Sequence, residues 1–466
     1  MRGDSRKVIL TVHDPLSSRV MFDCGIAEML AEKLEGNLEI AATFDIREHA
    51  AWQSRVKSVR IRSLPEIGVG MGGLKDRLAS RWDAALDRQI GFLPVAIRLN
   101  LKYGFHRERM ERGHSNGYLN SDNIGLLPRW AACYDFMFRW LYGRGRHLWP
   151  GFYSYLQDNA SAVITSHLQH QTTVPFIVGA KRLGIPLVGY IASWDHLVGK
   201  GGVYPAARRY IVQNEIMKGD LERYHGIASE VISVTGWPQS DIFARRRSRA
   251  DYLSLIAGFG LDATKPCVLV TGNSITNAPY EPAFFKRLVE WWENGDGHSR
   301  MNLIFRPHPK DACWRERYAL LLSKPRQGVF LQVPSYEDLD VLALMLQHVD
   351  CVVTNAGTIL LDSVVNGRPA ISVLYDEGAP TGVCYAIKSV VGEHYKEMME
   401  SQSFYRATDF AQVVEALTAC LQHPLELQSQ RRAASQRLMG DVDGKAAARV
   451  VRAMMEGVGR QGKDNA

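Results

Sequence analysis

A chain of 466 residues is too long for one ordinary core and points to about two or three domains. Its composition, 46% hydrophobic and 23% charged, is that of a soluble globular protein, and no run approaches the roughly 18 apolar residues that span a bilayer. The net charge of +7 suits an anionic ligand or an anionic membrane surface but is too modest for this length to name either.

The seven cysteines (Cys24, Cys133, Cys267, Cys313, Cys351, Cys384, Cys420) are scattered with no C-x-x-C pair, and four sit in apolar or helical runs. They read as buried thiols of a reducing compartment, with neither a disulfide framework nor a zinc site. The opening stretch MRGDSRKVILTVHD has only about six apolar residues before His13 and Asp14, so it is expected to be a first strand and not a signal peptide. The protein is accordingly expected to stay cytoplasmic.

Strands and helices alternate from the start: Lys7 to Val12 is a predicted strand, Phe22 to Leu34 a predicted helix and Leu38 to Phe44 a second strand. The intervening stretch, His13 to Asp23, reads as a polar loop at a strand's carboxyl end, where open α/β sheets place ligands. His13, Asp14, Ser17, Ser18 and Arg19 are therefore candidates for an acceptor site.

Over about 72–150 the pattern changes to helices in which Lys75, Arg77, Arg81, Arg88, Arg98, Lys102, Arg107 and Arg109 alternate with Trp82, Phe92, Tyr103 and Phe105. A second cluster places Trp130, Tyr134, Phe136, Phe138, Trp140, Tyr142 and Trp149 among Arg129, Arg139, Arg144 and Arg146. Basic and aromatic residues interleaved on helices suit in-plane contact with an anionic membrane, although a helical insertion packed on the sheet with a solvated basic face has the same composition. No recognised module or dense basic run speaks for nucleic acid.

The alternation then resumes, and two strand ends carry polar clusters: Thr165-Ser-His-Leu-Gln-His170 and Ser193-Trp-Asp-His-Leu-Val-Gly-Lys200 with Gly201 and Gly202. In the second, Asp195 and His196 precede a flexible, phosphate-tolerant loop, so Asp195 is a candidate base, with Asp14 or His13 in reserve, unless it only caps a helix. His167, His196 and Lys200 join Ser18 and Arg19 on the acceptor side. A basic, polar segment, Ala244 to Lys265, then reads as an interdomain linker before a second α/β unit begins at Cys267.

Two stretches of that second unit carry the chemistry. Cys351 to Val373 reads as strand, tight loop, helix and strand, with Asn355, Gly357 and Thr358 at a helix start suited to phosphate oxygens and Asp362 one turn further in, available to a sugar or ribose hydroxyl. Arg306-Pro-His-Pro-Lys310 pins a strand-end loop with two prolines and aims Arg306, His308 and Lys310 together: a guanidinium fork and an ammonium for phosphate oxygens, and an imidazole for a bridging oxygen or leaving phosphate. Ribose and base are expected against Gly272, Asn273 and Ser274 and the Asp376-Glu377-Gly378 loop. No Asp-x-Asp follows a predicted strand; Asp338 and Asp340 fall in a helix and Asp441 and Asp443 in a late helical segment, all expected on solvated faces.

Asn355-Ala-Gly-Thr358 with Asp362 and Gly367-Arg-Pro369, preceded by Arg306-Pro-His-Pro-Lys310, resembles the C-terminal half of GT-B-fold glycosyltransferases. The likeness is to the group holding bacterial surface-polysaccharide transferases, CDP-glycerol glycerophosphotransferases and non-hydrolysing UDP-GlcNAc 2-epimerases. Val234-Thr-Gly-Trp-Pro-Gln-Ser-Asp241 resembles that group's crossover between domains, Ser193-Trp-Asp-His a Ser-Trp-Asp-Asn loop of related transferases, and Asp443-Gly-Lys445 with Arg449 their C-terminal helix. The epimerases' acidic His-Gly-Asp-Thr loop is replaced here by Ser166-His-Leu-Gln-His170, which favours transfer over epimerisation.

The resemblance implies an α/β, GT-B-like chain of two Rossmann-like domains facing across a cleft: an N-terminal acceptor domain over 1–240, a linker over 241–265, a nucleotide-donor domain over 266–440 and a C-terminal helix over 441–466 crossing back. The expected activity is metal-independent and cofactor-free transfer of a sugar from a nucleotide-activated donor to a glycan or lipid-linked acceptor hydroxyl, with the protein peripheral to the inner face of the membrane. Transfer of a CDP-linked polyol phosphate, or a non-catalytic membrane scaffold, are the alternatives.

Overall fold

The computed structural model describes residues 6–70, 72–79, 81, 136, 140, 147–199, 202–295, 300–355, 357–390 and 393–459. The chain divides into two compact units, 1–239 with 445–466 and 240–444.

The first unit is built on seven strands, β1 (Lys7–Val12), β2 (Leu38–Ala42), β3 (Arg60–Ser63), β4 (Ala160–Thr165), β5 (Leu187–Tyr190), β6 (Arg209–Val212) and β7 (Ile232–Val234). All pair in parallel, in the order β3-β2-β1-β4-β5-β6-β7. The helices α1 (Pro15–Asp23), α2 (Ile26–Lys33), α3 (Pro150–Asn159), α4 (Val174–Leu183) and α5 (Glu215–His225) connect them. Strands buried on both faces are mostly apolar, and β1, β2 and β5 are so apart from Lys7 and buried Thr11 in β1 and Glu39, buried in β2 beside the Tyr155 hydroxyl and 3.3 Å from Arg62 Nε.

The His13 to Asp23 stretch is not a loop. Pro15, with φ already suited to a first helical turn, opens α1, and the buried Ser18 hydroxyl accepts the His13 backbone N–H at 3.0 Å. The helix expected from Phe22 to Leu34 is interrupted at Gly25, whose φ of 73° lies in the left-handed region, so α2 starts afresh at Ile26.

The second unit holds six parallel strands in the order β10-β9-β8-β11-β12-β13: β8 (Cys267–Thr271), β9 (Asn302–Arg306), β10 (Val329–Leu331), β11 (Cys351–Thr354), β12 (Ala370–Val373) and β13 (Tyr405–Ala407). Its helices include α6 (Arg249–Gly258), α7 (Glu281–Asn294), α8 (Trp314–Arg317), α9 (Leu339–His348), α10 (Thr358–Val365), α11 (Phe410–Gln422) and α12 (Gln428–Met439). Phe284, Phe285, Leu288 and Trp292 of α7 pack on Val268, Val270, Leu303 and Phe305 of the sheet. At 25 cal/mol/Å², burying each such large side chain stabilises the unit by about 2 kcal/mol.

The expected linker is ordered structure. Ser248 caps α6 by accepting the Asp251 N–H at 3.0 Å, while Gln347 of α9 accepts the Arg247 N–H and donates to Phe243 O, each at 2.9 Å. Asp441 and Asp443 lie in a non-helical stretch after α12. The last helix, α13 (Ala446–Gly457), belongs to the first unit: Val450, Val451 and Met454 are buried there, and Arg449 Nε donates to Thr235 O at 2.7 Å. Most of the expected insertion over 72–150 lies outside the described residues. No described helix is long and apolar enough to cross a membrane. Cys24, Cys267, Cys351 and Cys420 are buried free thiols, as the sequence implied.

Candidate functional site

In a doubly wound sheet, ligands gather outside the carboxyl ends of the strands where the order reverses. In the second unit that point falls between β8 and β11, paired through Thr271 and Thr354. Immediately beyond these residues stand Gly272, Asn273 and Ser274 on one side and Asn355 on the other. Asn273 Nδ2 donates to Asn355 Oδ1 at 3.2 Å, so two stretches chosen separately in the sequence meet in space.

Both stretches converge on Glu281, the first residue of α7, which the sequence reading passed over. Its carboxylate accepts the Asn273 backbone N–H on both oxygens at 2.9 Å, Asn355 Nδ2 at 2.5 Å and Arg317 at 2.9 Å. Arg317 donates in turn to Asn273 O and Ala278 O, each at 2.6 Å, and pairs with buried Asp311. Two buried carboxylates share one guanidinium, and burial pushes the Glu281 carboxyl up to about 8 against the pull of the Asn273 N–H and Arg317. An acid in a helix's first turn is commonplace, so nothing local marked Glu281. Beside it an open pocket is lined by Thr271, Tyr280, Asn355, Tyr375, Asp376 and Glu377.

The Arg306-to-Lys310 loop lies at the end of β9, the strand next to β8. Arg306 is not offered to phosphate. Its fork grips Asp338, NH1 to Oδ2 and NH2 to Oδ1 both at 2.7 Å, with the two side chains 7% and 13% exposed. Asp338 is thus no solvated helix residue; Asp340 does stand on the surface, 70% exposed and paired with Arg247. His308 keeps its expected place in the loop, half-buried, and its Nδ1 accepts the Lys310 N–H at 3.1 Å. That bond assigns the neutral ring's proton to Nε2, making Nε2 the donor. Lys310 is exposed.

Gly357 caps α10 without a side-chain cap, and Thr358, the first helical residue, is exposed. Gly357 has φ −158°, extended backbone open to any residue, so the turn itself does not demand glycine. Asp362, expected to be available to a sugar or ribose hydroxyl, is buried, only 3% exposed. Asp376 caps the helix at Tyr385–Val390, its Oδ2 accepting the N–H of Tyr385 and that of Ala386. Glu377 pairs with Arg287 at 2.7 Å.

In the first unit the reversal falls between β1 and β4, and four histidines collect beyond it. His13 stacks on His170 at 4.7 Å and meets His167 edge-on at 5.6 Å, and His167 stacks on His196 at 4.2 Å. His13, His167 and His196 are each under 5% exposed. Thr172 and Thr173 hold the two nitrogens of His13 at 3.0 and 3.2 Å, and burial next to His170 lowers its pKa to about 3, so His13 is a neutral core histidine and not a reserve base. Ser18 is committed to the His13 N–H, and His167 and His196 are packed rather than displayed. Asp195 is different: its side chain is 32% exposed, Ser193 Oγ donates to it at 2.5 Å, and His196 Nε2 lies 3.8 Å away. Asp14 and Arg19 are partly exposed; Lys200 lies outside the described residues. Among the described residues no group of three or more His, Cys, Asp or Glu is arranged to hold a metal ion.

Residues 207–456 match the family model described as CDP-Glycerol:Poly(glycerophosphate) glycerophosphotransferase. No curated protein matches the sequence. Among solved structures, S. aureus MnaA with UDP is similar over 99% of this chain and 99% of its own, at 12% identity and TM-score 0.53. The wall teichoic acid polymerase TagF is similar over 97% of this chain and 89% of its own, at 10% identity and TM-score 0.52. UDP-GlcNAc 2-epimerase from Neisseria meningitidis bound to UDP-GlcNAc is similar over 96% and 99%, at 12% identity and TM-score 0.53. At such identities the likeness is one of fold: α/β, GT-B-like, with two Rossmann-like units.

Proposed function

The chain belongs to the CDP-glycerol:poly(glycerophosphate) glycerophosphotransferase family, transferases of cell-wall polymer synthesis acting on nucleotide-linked substrates, and from that premise we propose that it moves a polyol phosphate from a CDP-linked donor to an acceptor hydroxyl. Family membership supports this reaction over the sugar transfer that the sequence leads one to expect.

The observation that carries the reading is the meeting of Asn273 and Asn355 at the β8–β11 reversal, inside the matched region. There the donor's pyrophosphate lies along Asn355, Gly357 and Thr358, at the amino end of α10, with Lys310 adding a cation. The acceptor oxygen attacks the distal phosphorus, a new P–O bond forms, and the P–O bond to the nucleoside monophosphate breaks. His308 Nε2–H donates to the departing phosphate. Asp195, which lies outside the family-matched residues, is the acceptor-side base in this proposal, taking the hydroxyl proton; Asp14, Arg19 and Lys200 remain acceptor-side candidates. Arg306, held by Asp338, and Asp362, buried, are left out of the donor contacts.

A nucleotide panel tests the reading. CDP-glycerol and CDP should raise the melting temperature, a ligand at 100 times its Kd adding about 2.7 kcal/mol, and product masses should show added polyol phosphate. Protection by UDP-sugars with none from cytidine diphosphates would restore sugar transfer, and no protection by any nucleotide would leave only a scaffold. Contact with an anionic membrane is the second part of the proposal, supported by Leu74 and Leu78, 74% and 55% exposed beside exposed Lys75, Arg77 and Arg81, and by Phe136 and Trp140, 69% and 50% exposed. Salt-sensitive sedimentation with phosphatidylglycerol vesicles checks it; no binding at low salt would remove it.

A further inference from the structure

Glu281 is bound by groups from three places in the chain. The Asn273 N–H comes from the loop after β8, Asn355 Nδ2 from the loop after β11, and Arg317 from α8. These bonds occupy both carboxylate oxygens, so Glu281 is poorly placed to serve as a substrate contact although it borders the pocket. What it does is tie together two strand-end loops, which also meet through the Asn273–Asn355 side-chain bond.

We propose that Glu281 is the positioning residue of the donor site: it holds the β8 and β11 loops in register before the nucleotide arrives, so that Asn355 and the start of α10 meet the donor pyrophosphate already aligned. The inference rests on the donor-site reading above. Preorganisation of this kind acts on ligand binding more than on the chemical step, because the loops need not be ordered when the ligand binds. The charged and titratable groups facing Glu281 are Arg317 and Asp311, with the Tyr318 hydroxyl alongside. Glu281→Gln replaces one carboxyl oxygen by an N–H₂ turned toward groups that need an acceptor. Glu281→Asp keeps the carboxyl group and shortens the reach by one methylene.

The test measures donor KM and kcat with CDP-glycerol, together with amide exchange at Asn273 and Ser274, in the wild type and both variants. Glu281→Asp should raise donor KM by about tenfold or more with kcat within a factor of about three, while exchange at Asn273 accelerates and exchange across β8 and β11 stays slow. Glu281→Gln should do the same more strongly; if it fails to fold, Glu281→Asp decides. Unchanged KM and unchanged Asn273 exchange in Glu281→Asp would overturn the inference while leaving the donor reading intact. So would a loss of kcat at unchanged KM, which would put Glu281 in the chemistry. A wild type that binds no nucleotide would overturn both, and that result is distinguishable because it precedes any variant.

Discussion

Arg306 and Asp338 lie fork to fork, both guanidinium contacts at 2.7 Å, and Gln332 Nε2 adds a 3.0 Å bond to Asp338. With both side chains largely buried, removing one partner leaves a desolvated charge behind. Asp338→Ala should therefore cost about 3 kcal/mol in denaturant unfolding. A change below about 0.5 kcal/mol, the surface-substitution range, would mean that the pair is loose enough for Arg306 to serve a ligand instead.

His13 gives the first unit an acid limit. Its folded pKa of about 3 lies below the ordinary 6.5, so its contribution is fully present above pH 6.5 and is lost as pH falls toward 3, where the unfolded chain takes the proton first. The slope from this one group approaches about 1.4 kcal/mol per pH unit in that window. Denaturant unfolding of wild type and His13→Gln at pH 7, 5.5 and 4.5 should show the difference in stability shrinking as pH falls. A constant difference would mean that His13 titrates normally.

Two glycines near the donor loops should respond oppositely. A Cβ on Gly272 would stand 2.0 Å from the Tyr318 hydroxyl, in a packed region, so Gly272→Ala should destabilise the protein by about 1–3 kcal/mol. At Gly357 a Cβ would meet nothing nearer than Ile359 at 3.9 Å, and Gly357→Ala should leave the melting temperature unchanged while weakening CDP-glycerol protection, because the methyl group enters the space proposed for phosphate. Unaltered protection in Gly357→Ala would move the pyrophosphate away from α10.

His308→Ala and Asp195→Ala should each reduce turnover by about 10²- to 10⁴-fold, the range of a general acid or base, with melting temperatures close to wild type. Both side chains are partly exposed. Wild-type turnover in either variant would remove that residue from the mechanism.

The architecture was legible because parallel strands covered on both faces are largely apolar, and runs such as Cys267–Thr271 and Cys351–Thr354 stand out before loops that carry Gly and Asn. The same pattern marked which residues stand at strand ends, and Asn273, His308 and Asn355 were found that way. The start of α1 was misread because Pro15, Ser17 and Ser18 suit a loop and a helix's first turn equally well.

The sequence by itself determined the alternation of strand and helix, hence two Rossmann-like units, and the residues their strand ends carry. Only the tertiary structure decided what those residues touch. Asp338 reaches Arg306 across 32 positions of sequence, and Glu281 reaches Asn355 across 74. Periodicity records whether a side chain faces the core, a local property of the backbone. Whether an arginine is left for a ligand, or a histidine can take a proton, depends on charges and burial supplied by distant segments, and these come together only when the sheet forms.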